Sequence, residues 1–345
     1  MEESPKGIDV PRVTSWFREQ VPAAAPPLRF DLIAGGHSNL TYRVTDAAGG
    51  EYVLRRPPLH HVLPTAHDMG REHKIIAGLA STAVPVPPAL GFCAAPEVNG
   101  APFYVMTFVH GHVLHDRTIA EGALEEAARR HAGEHFIDVL ADLHAVDPDA
   151  VGLGDLGRKE GYVSRQLKRW YSQWQQSKTR ELPAVDRVHD ALQKQIPEQA
   201  RATVVHGDYR LGNCITSERG RIMAVLDWEI CTLGDPLADV GYVLATWSHS
   251  SDEHPVNPLV PSMVPGFPTR AELLERYAAR SGADVSRIDF YVAFSYWKSA
   301  CIIEGVYARY LGGARGDDAR AEIHEFPKQV ERFAALAEDA VARFA

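Results

Sequence analysis

The spacing of three polar residues constrains the fold of this chain more than any other sequence feature. Asp208 follows a β-type dipeptide at 204–205, and Asn213 comes five residues later. Asp227 ends the next β-type run, fourteen residues after Asn213. A strand–loop–strand hairpin would bring these three side chains to one edge. The sequence therefore predicts a compact polar site carried by short strands.

The residue types in this group fit phosphoryl transfer. Asn213 and Asp227 offer the oxygen ligands that Mg²⁺ takes beside phosphate and water. Asp208 remains outside that pair, so it can orient a hydroxyl group and accept its proton. Arg210 lies two residues beyond Asp208, and its planar guanidinium can bind phosphate oxygens. We therefore expect Asp208 and Arg210 to be catalytic, as in the kinase arrangement of base and metal ligands.

The spelling of these segments resembles one family. HGDYRLGN at 206–213 and LDWE at 226–229 are similar to the aminoglycoside phosphotransferase and choline kinase-like family, which has a protein-kinase-like fold. The segments GLGDLG, YVSRQLKRW and LDWEICTLGDPLADVGY also resemble the kinase-like domain of certain acyl-CoA dehydrogenases. The resemblance implies an ATP- and Mg²⁺-dependent enzyme that phosphorylates an alcohol group.

The implied fold class is α+β with two lobes. A small antiparallel β-sheet lobe, residues 1–108, would bind the nucleotide. A larger and mainly helical lobe, residues 109–345, would carry the catalytic loop, the metal site and the acceptor region. The patterns agree with this division, because β-type runs with turn signals occupy 29–56 and a further β-type run occupies 103–109.

The resemblance also implies a set of nucleotide-binding residues. A glycine-bearing loop would bring backbone amides close to the phosphates. Arg55 stands where the family usually has a lysine, and Glu72 on the following helix would be its ion-pair partner. ATP is the expected donor, with GTP left open. The predicted set is Gly35, Gly36, Ser38, Asn39, Arg55, Glu72 and the adenine-facing hinge residues Met106, Thr107 and Val109.

Two features of the helical lobe bear on the acceptor. The run 290–304 is aromatic and apolar with few acids, and the segment 162–170 is basic. Such a lining suits an anionic or apolar acceptor better than a polycation, although a solvated helix face explains the basic segment equally. The resemblance implies a hydroxyacyl-CoA or a similar hydroxylated acyl compound, with an aminoglycoside as the alternative. The candidate acceptor contacts are Arg165, Arg169, Trp297, Lys298 and Glu304.

Local signals predict several elements of the helical lobe. Thr118, with a glutamate three residues later, has capping-box spacing and predicts a long helix that ends near His144. Thr269 repeats the spacing and predicts a helix that ends near Gly282. Residues 249–268 contain five prolines and little periodicity, which predicts a loop of the length often found in lids.

The overall composition argues against several function classes. The chain has 345 residues and a net charge of -9, and this acidic balance disfavours nucleic-acid binding. The sequence has no apolar run long enough for a membrane-spanning helix, and its start, MEESPKGIDV, does not resemble a secretory signal. Four scattered cysteines indicate a reduced, cytoplasmic chain. We expect a monomer or homodimer whose partner is a small hydroxylated molecule.

Three other interpretations are weaker. GLGDLG at 152–157 matches a dinucleotide-binding motif but follows a predicted helix rather than a strand. HAGEH at 131–135 matches an inverted zinc-protease motif but lacks a clear third ligand. The arginine at position 55 leaves open a regulatory pseudokinase, which would bind nucleotide without turnover.

Overall fold

The structure is a computed structural model, and it describes residues 5–34, 39–59, 67–312 and 323–344. Within these ranges the chain forms a small lobe built on an antiparallel sheet and a larger, mainly helical lobe. The predicted α+β fold class is therefore confirmed. The loop residues Gly35, Gly36 and Ser38, which were expected near the phosphates, lie outside the described residues.

The small lobe is built on a five-stranded antiparallel sheet. Its strand order is β1-β2-β3-β5-β4. Along β2 every second residue is buried, which is the two-residue period of a strand with one face on a core. The strands are β1 (Arg29–Ala34), β2 (Leu40–Thr45), β3 (Glu51–Arg56), β4 (Ala89–Cys93) and β5 (Phe103–Thr107).

Three helices accompany this sheet: α1 (Val10–Gln20), α2 (Met69–Leu79) and α3 (Pro96–Asn99). Helix α2 is the helix expected to carry Glu72, whereas α1 was not predicted from the sequence. Asp9 caps α1 by accepting a hydrogen bond from the Arg12 amide at 3.1 Å. Helix α1 is amphipathic, and it buries Val13 and Phe17 in an apolar core that belongs to this lobe.

The larger lobe contains eight described helices and four short strands. The helices are α4 (Arg117–Ala123), α5 (Glu126–Ala145), α6 (Tyr162–Ser177), α7 (Pro183–Lys194), α8 (Leu237–Thr246), α9 (Arg270–Ser281), α10 (Ile288–Leu311) and α11 (Phe326–Val341). The strands β6 (Thr203–Val205) and β9 (Thr232–Gly234) form one antiparallel pair, and β7 (Cys214–Thr216) and β8 (Ile222–Val225) form another.

The capping-box spacing predicts α9 correctly, but it does not predict the helices that follow Thr118. Thr269 forms a complete capping box, and α9 ends at Gly282, whose φ is 66°. The helix predicted from Thr118 is instead two helices, because the backbone becomes extended at Leu124. The first of these is capped by Asp116, whose carboxylate accepts a hydrogen bond from the Ile119 amide at 2.9 Å.

The segment 249–268 is largely loop, as predicted, with one 3-10 turn at Pro261–Met263. Both of its ends are fastened to neighbouring elements. Arg270 of α9 pairs with Asp252 at 2.9 Å. Trp247 donates its indole N–H to the Pro268 carbonyl, also at 2.9 Å. These contacts hold the loop against the helical lobe.

The larger apolar core crosses from one lobe to the other. It includes Ile75 and Leu79 of α2 together with Leu153, Leu156 and the interior of the helical lobe. Arg71 of α2 strengthens this connection, because its guanidinium donates to the carbonyls of Leu156 and Cys231, each at 2.7 Å. The lobes therefore share packing, and the division at residue 108 stays a prediction.

Two further sequence expectations concern helices and thiols. Within the described ranges, no helix is long and apolar enough to cross a membrane. All four cysteines are buried and none forms a disulfide: Cys93, Cys214, Cys231 and Cys301.

Candidate active site

The strand pairs place the three motif residues at one end of the helical lobe. After β6, the chain passes Asp208 and makes a 3-10 turn, Leu211–Asn213, which leads into β7. Cys214 pairs with Val225 across β7 and β8, so Asn213 and Asp227 leave the same end of this hairpin. The Leu226 amide donates to the Asn213 carbonyl at 2.8 Å, which closes that end.

Three side chains hold the Asp208 carboxylate. The Asn213 amide donates to Asp208 Oδ2 at 2.9 Å and to the Asp208 carbonyl at 2.8 Å. Arg210 Nε approaches Oδ2 at 3.4 Å, and the Tyr242 hydroxyl of α8 donates to Oδ1. Because a carboxylate has about four acceptor positions, Asp208 retains capacity to accept a further hydrogen bond from an acceptor hydroxyl.

The loop around Asp208 is supported by a buried carboxylate. Asp239 accepts hydrogen bonds from the backbone amides of His206, at 2.7 Å, and Gly207, at 2.8 Å. Burial alone would raise the pKa of Asp239, but the hydrogen bond and charge of His144 lower it below its ordinary value. His206 in turn contacts the Leu226 carbonyl through Nε2 at 2.9 Å. These residues shape the loop without facing the cavity.

Arg55 of β3 joins the small lobe to the motif. Its Nε lies 3.1 Å from Glu72 Oε2, and its Nη2 donates to Asp227 Oδ1 at 2.7 Å. Burial disfavours the charge of Arg55, but the two carboxylates raise its pKa above the ordinary arginine value. The predicted partner of Arg55 is thus in contact with it, and the arginine fork adds a second partner across the lobes.

Glu72 is buried and carries two further contacts. It accepts hydrogen bonds from the Asn39 amide at 2.8 Å and from the Tyr104 hydroxyl at 3.0 Å. Burial raises the pKa of Glu72, and the charge of Arg55 opposes that rise. Asn39 is also buried, and its other contact is with His67 Nδ1 at 2.8 Å. The structure therefore places Asn39 in contact with Glu72, which in turn contacts Arg55.

Asp227 has an unusual backbone conformation. Its φ is 66°, and within the described ranges it is the only non-glycine residue with a positive φ. A left-handed conformation costs a non-glycine residue about 1–3 kcal/mol, although Asp adopts it more readily than most. Such strain is typical of functional positions.

The oxygen atoms of Asn213 and Asp227 fit a Mg²⁺ ion. Asn213 uses its side-chain nitrogen on Asp208, and its amide oxygen has no hydrogen-bond partner in the described part of the chain. Asp227 Oδ2 is likewise unpaired there, while Oδ1 accepts from Arg55. Both residues line one cavity. Two hard oxygen donors are what Mg²⁺ usually takes from a protein at a phosphate site.

The cavity between the lobes has a volume of about 420 Å³, which is within the range of small-ligand sites. The three hinge residues Met106, Thr107 and Val109 line it opposite the motif. The Thr107 amide already donates to the Pro88 carbonyl at 2.9 Å. The Val109 amide has no hydrogen-bond partner among the described residues, so it is the hinge N–H available to a ligand.

A comparison with protein families decides the assignment. Residues 29–291 match the Phosphotransferase enzyme family. The chain belongs to this family. The family predicted from the HGDYRLGN and LDWE segments is therefore confirmed, and the general class of its activity is phosphotransferase.

Relatives of known name extend this result. Acyl-CoA dehydrogenase family member 10 of Mus musculus is 36% identical over 322 residues, which are 90% of this chain but 29% of that protein. A Ralstonia eutropha JMP134 crystal structure, provisionally assigned as an aminoglycoside phosphotransferase, has a TM-score of 0.80 at 31% identity and covers 96% of this chain and 98% of that one. An aminoglycoside phosphotransferase crystallised with AMP-PNP and hygromycin B shares the fold, with a TM-score of 0.60 at 16% identity and coverage of 96% and 98%.

The site of this family member contains residues that sequence reasoning missed. Tyr242 contacts Asp208, and Tyr104 contacts Glu72, but a single tyrosine carries no sequence signal for such a role. Glu229 lies two residues after Asp227, and burial together with the Asp227 charge raises its pKa to about 7. Its Oε2 is buried and has no hydrogen-bond partner among the described residues. The LDWE spelling could have drawn attention to Glu229.

Two of the predicted acceptor contacts must be corrected. Trp297 is fully buried, and its indole N–H donates to the Val185 carbonyl at 3.0 Å. Glu304 is also fully buried, where it accepts from the Thr179 amide at 2.7 Å and pairs with Arg180 at 3.0 Å. Trp297 therefore connects α10 to α7, Glu304 connects α10 to the loop after α6, and neither can reach an acceptor.

The remaining predicted contacts stay at the surface of α6 and α10. Arg165 donates to the Arg158 carbonyl at 2.7 Å, which fixes the turn before α6. Arg169 is exposed and Lys298 is half-buried, and both lie near the ring of Trp170. These two cations remain candidates for acceptor binding.

The two weaker motifs have structural explanations. His135 Nδ1 accepts a hydrogen bond from the Ile222 amide at 3.0 Å, so it fastens α5 to β8. The described part of the chain contains no group of three or more His, Cys, Asp or Glu side chains that could hold a metal ion. The glycines at 152–157 lie in turns between α5 and α6, without the strand that a dinucleotide motif needs.

Proposed function

We propose that this chain transfers the γ-phosphoryl group of ATP to a hydroxyl group of a small molecule, with Mg²⁺ as cofactor. The observation that carries the proposal is the convergence of Arg55, Asn213 and Asp227 on one cavity beside Asp208. The composition and the reduced cysteines favour the cytoplasm as the place of action.

Asp208 would act on the acceptor. Its carboxylate is held by three neighbours, so it can orient an incoming hydroxyl and take up its proton as the new O–P bond forms and the bond from the γ-phosphorus to the leaving ADP breaks. Arg210 lies on the same loop and also lines the cavity, so its guanidinium can offset charge on the transferred group. Holding both reactants in line would supply most of the rate enhancement.

Asn213 and Asp227 would hold the metal. A bound Mg²⁺ would neutralise the charge of the nucleotide phosphates. Arg55 fixes the orientation of Asp227 through Oδ1, which leaves Oδ2 for coordination. Glu72 in turn fixes Arg55. At the other end of the cavity, the Val109 amide would donate to the adenine edge, and the same backbone contact leaves GTP possible as a donor.

The names of the relatives and the charge near α6 favour an acyl acceptor. The mouse relative is named as an acyl-CoA dehydrogenase family member, and this chain spans only 29% of its length. Arg169 and Lys298 would repel a polycationic aminoglycoside and attract an anion. We therefore propose a hydroxyacyl-CoA as the acceptor class.

The decisive experiment is a turnover assay with Mg·ATP against hydroxyacyl-CoAs, aminoglycosides, choline and sugars, read by mass spectrometry of the phosphorylated product. We expect transfer to at least one acceptor. Asp208→Asn should abolish transfer, by about a thousandfold or more, while ATP binding survives. Asp339→Asn is the matched control, since Asp339 is exposed on α11 and away from the cavity.

Two results would contradict the proposal. Full turnover by Asp208→Asn on a true acceptor would remove this residue from catalysis. Nucleotide binding by the wild type without phosphorylation of any acceptor would instead support a regulatory protein.

A further inference from the structure

Two cations converge on one indole ring of the helical lobe. The guanidinium carbon of Arg169 lies 5.1 Å from the centre of the Trp170 ring, and Lys298 Nζ lies 5.9 Å from it. Arg169 and Trp170 belong to α6, whereas Lys298 comes from α10. The Trp170 indole N–H donates to Gln166 Oε1 at 2.9 Å, which fixes the orientation of the ring.

Neither cation has an anionic partner in the described residues. Arg169 and Lys298 form no hydrogen bond or ion pair there beyond their contact with the ring. Exposed cations of this lobe such as Lys168 also lack a partner among the described residues, whereas others are paired. Arg180 pairs with Glu304, and Arg280 pairs with Asp142 at 2.7 Å. Lys298 differs from the unpaired exposed cations because it is half-buried.

The arrangement is unfavourable for the protein alone. Lys298 is half-buried, and burial lowers its pKa; the charges of Asp239 and Asp208 oppose that shift in part, and the charge of Arg169 adds to it. A charge that is partly removed from water without a partner costs free energy, and the two like charges repel each other. A cation–π contact offsets only part of this cost. A bound anion would offset the rest.

The position of Lys298 connects this surface to catalysis. Helix α10 packs against both α6 and α8, and α8 carries Tyr242, whose hydroxyl donates to Asp208. We propose that Arg169 and Lys298 form an anion-binding subsite, with Trp170 as its apolar wall, that selects acceptors carrying a phosphate or carboxylate group. This inference rests on the proposed function, because it assigns the acceptor of that same site.

A binding experiment tests the subsite without turnover. Acetyl-CoA carries phosphates but no hydroxyl on its acyl group, so it is titrated into the full chain by calorimetry with AMP-PNP and Mg²⁺ saturating the nucleotide site. We expect Lys298→Gln and Arg169→Gln each to weaken acetyl-CoA binding about tenfold. Lys168→Gln is the matched control and should leave binding unchanged, because Lys168 is exposed on α6 and outside the cation pair.

A turnover experiment tests selection. The substrates are a hydroxyacyl-CoA and the same hydroxyacyl group on N-acetylcysteamine, a neutral thioester. We expect Lys298→Gln to raise KM for the CoA ester while kcat/KM for the neutral ester stays within about twofold. An equal loss on both esters would assign Lys298 a structural role and overturn the proposal.

The remaining outcomes separate the possible sources of the anion. If Lys298→Gln weakens the binding of inorganic phosphate but not that of acetyl-CoA, the pair serves a free anion and the acceptor role is wrong. If the wild type binds neither probe, the subsite is wrong, whatever the turnover assay shows. If acetyl-CoA binding depends on Lys298 but no acceptor is phosphorylated, the proposed function fails while the subsite stands.

Discussion

At the scale of single residues, Arg55 distinguishes this chain from the lysine usual at its position. The arginine reaches two carboxylates, Glu72 at 3.1 Å and Asp227 at 2.7 Å, and only 12% of its side chain is exposed. A lysine presents one compact charge rather than a planar fork. The arginine therefore positions a buried acid and a candidate metal ligand at the same time.

Arg55→Lys should preserve folding but impair nucleotide use. We expect kcat/KM for ATP to fall about tenfold, because a single ammonium cannot hold both carboxylates in their present places. The measurement is steady-state kinetics with varied Mg·ATP, accompanied by thermal unfolding. Arg29→Lys is the control, since Arg29 lies on the same sheet in an exposed pair with Asp31. A faster Arg55→Lys enzyme would show that the fork is not needed.

At the scale of elements, the capping box of α9 makes a prediction about pH. The Thr269 amide, followed by the charge-assisted hydrogen bond from Arg130, lowers the pKa of Glu272 to about 2 from 4.5. A carboxyl with a depressed pKa in the folded state stabilises the protein above its unfolded pKa and loses this contribution as the pH falls. We therefore expect Glu272→Gln to lower the free energy of unfolding by about 1 kcal/mol at neutral pH.

The difference between the wild type and Glu272→Gln should shrink as the pH falls from about 4.5 towards about 2. Urea unfolding at several pH values between neutral and the onset of acid unfolding measures it. Glu275→Gln, on the exposed face of the same helix, should show no such trend. A difference that is independent of pH would mean that the Glu272 charge is not involved.

The close contact between α8 and α10 predicts that two glycine-to-alanine substitutions will have opposite effects on stability. A Cβ atom at Gly241 would lie 2.5–2.6 Å from the backbone and Cβ of Tyr291, so Gly241→Ala must push the helices apart. We expect a loss of about 2 kcal/mol or more in the free energy of unfolding, and lower activity because the adjacent Tyr242 holds Asp208. Gly122→Ala meets nothing within 4 Å and should stabilise α4 by about 0.5–1 kcal/mol. Chemical denaturation and turnover measure both variants.

The elements also show what the sequence could and could not predict. The spacing of Asp208, Asn213 and Asp227 was sufficient to predict that their side chains lie at one edge, because short strands on either side of a tight turn leave few arrangements. The orientation of α10 was not predictable. That helix is apolar on nearly every side, so no periodicity distinguished the buried Trp297 from the half-buried Lys298. Tyr242 was missed because its role depends on how α8 packs over the loop.

At the scale of the whole molecule, the two lobes share one apolar core. The larger apolar core contains residues of α2 and of the helical lobe, and the Val225 amide donates to the Pro85 carbonyl at 2.8 Å. We expect unfolding in urea to be a single transition in which far-ultraviolet circular dichroism and tryptophan fluorescence coincide. AMP-PNP with Mg²⁺ should raise the midpoint of both signals together. Two separated transitions would show that the lobes unfold independently.

The buried thiols have a consequence for how this molecule can be observed. Burial raises the pKa of Cys93 in the small lobe and of Cys231 and Cys301 in the larger core. Because the thiolate is the reactive form, a disulfide reagent will modify these positions only when the surrounding structure opens. The rate of modification at each cysteine then measures how often the structure around that cysteine opens. The natural sequence thus already carries reporters of local opening in both lobes, and no engineered label is needed to measure it.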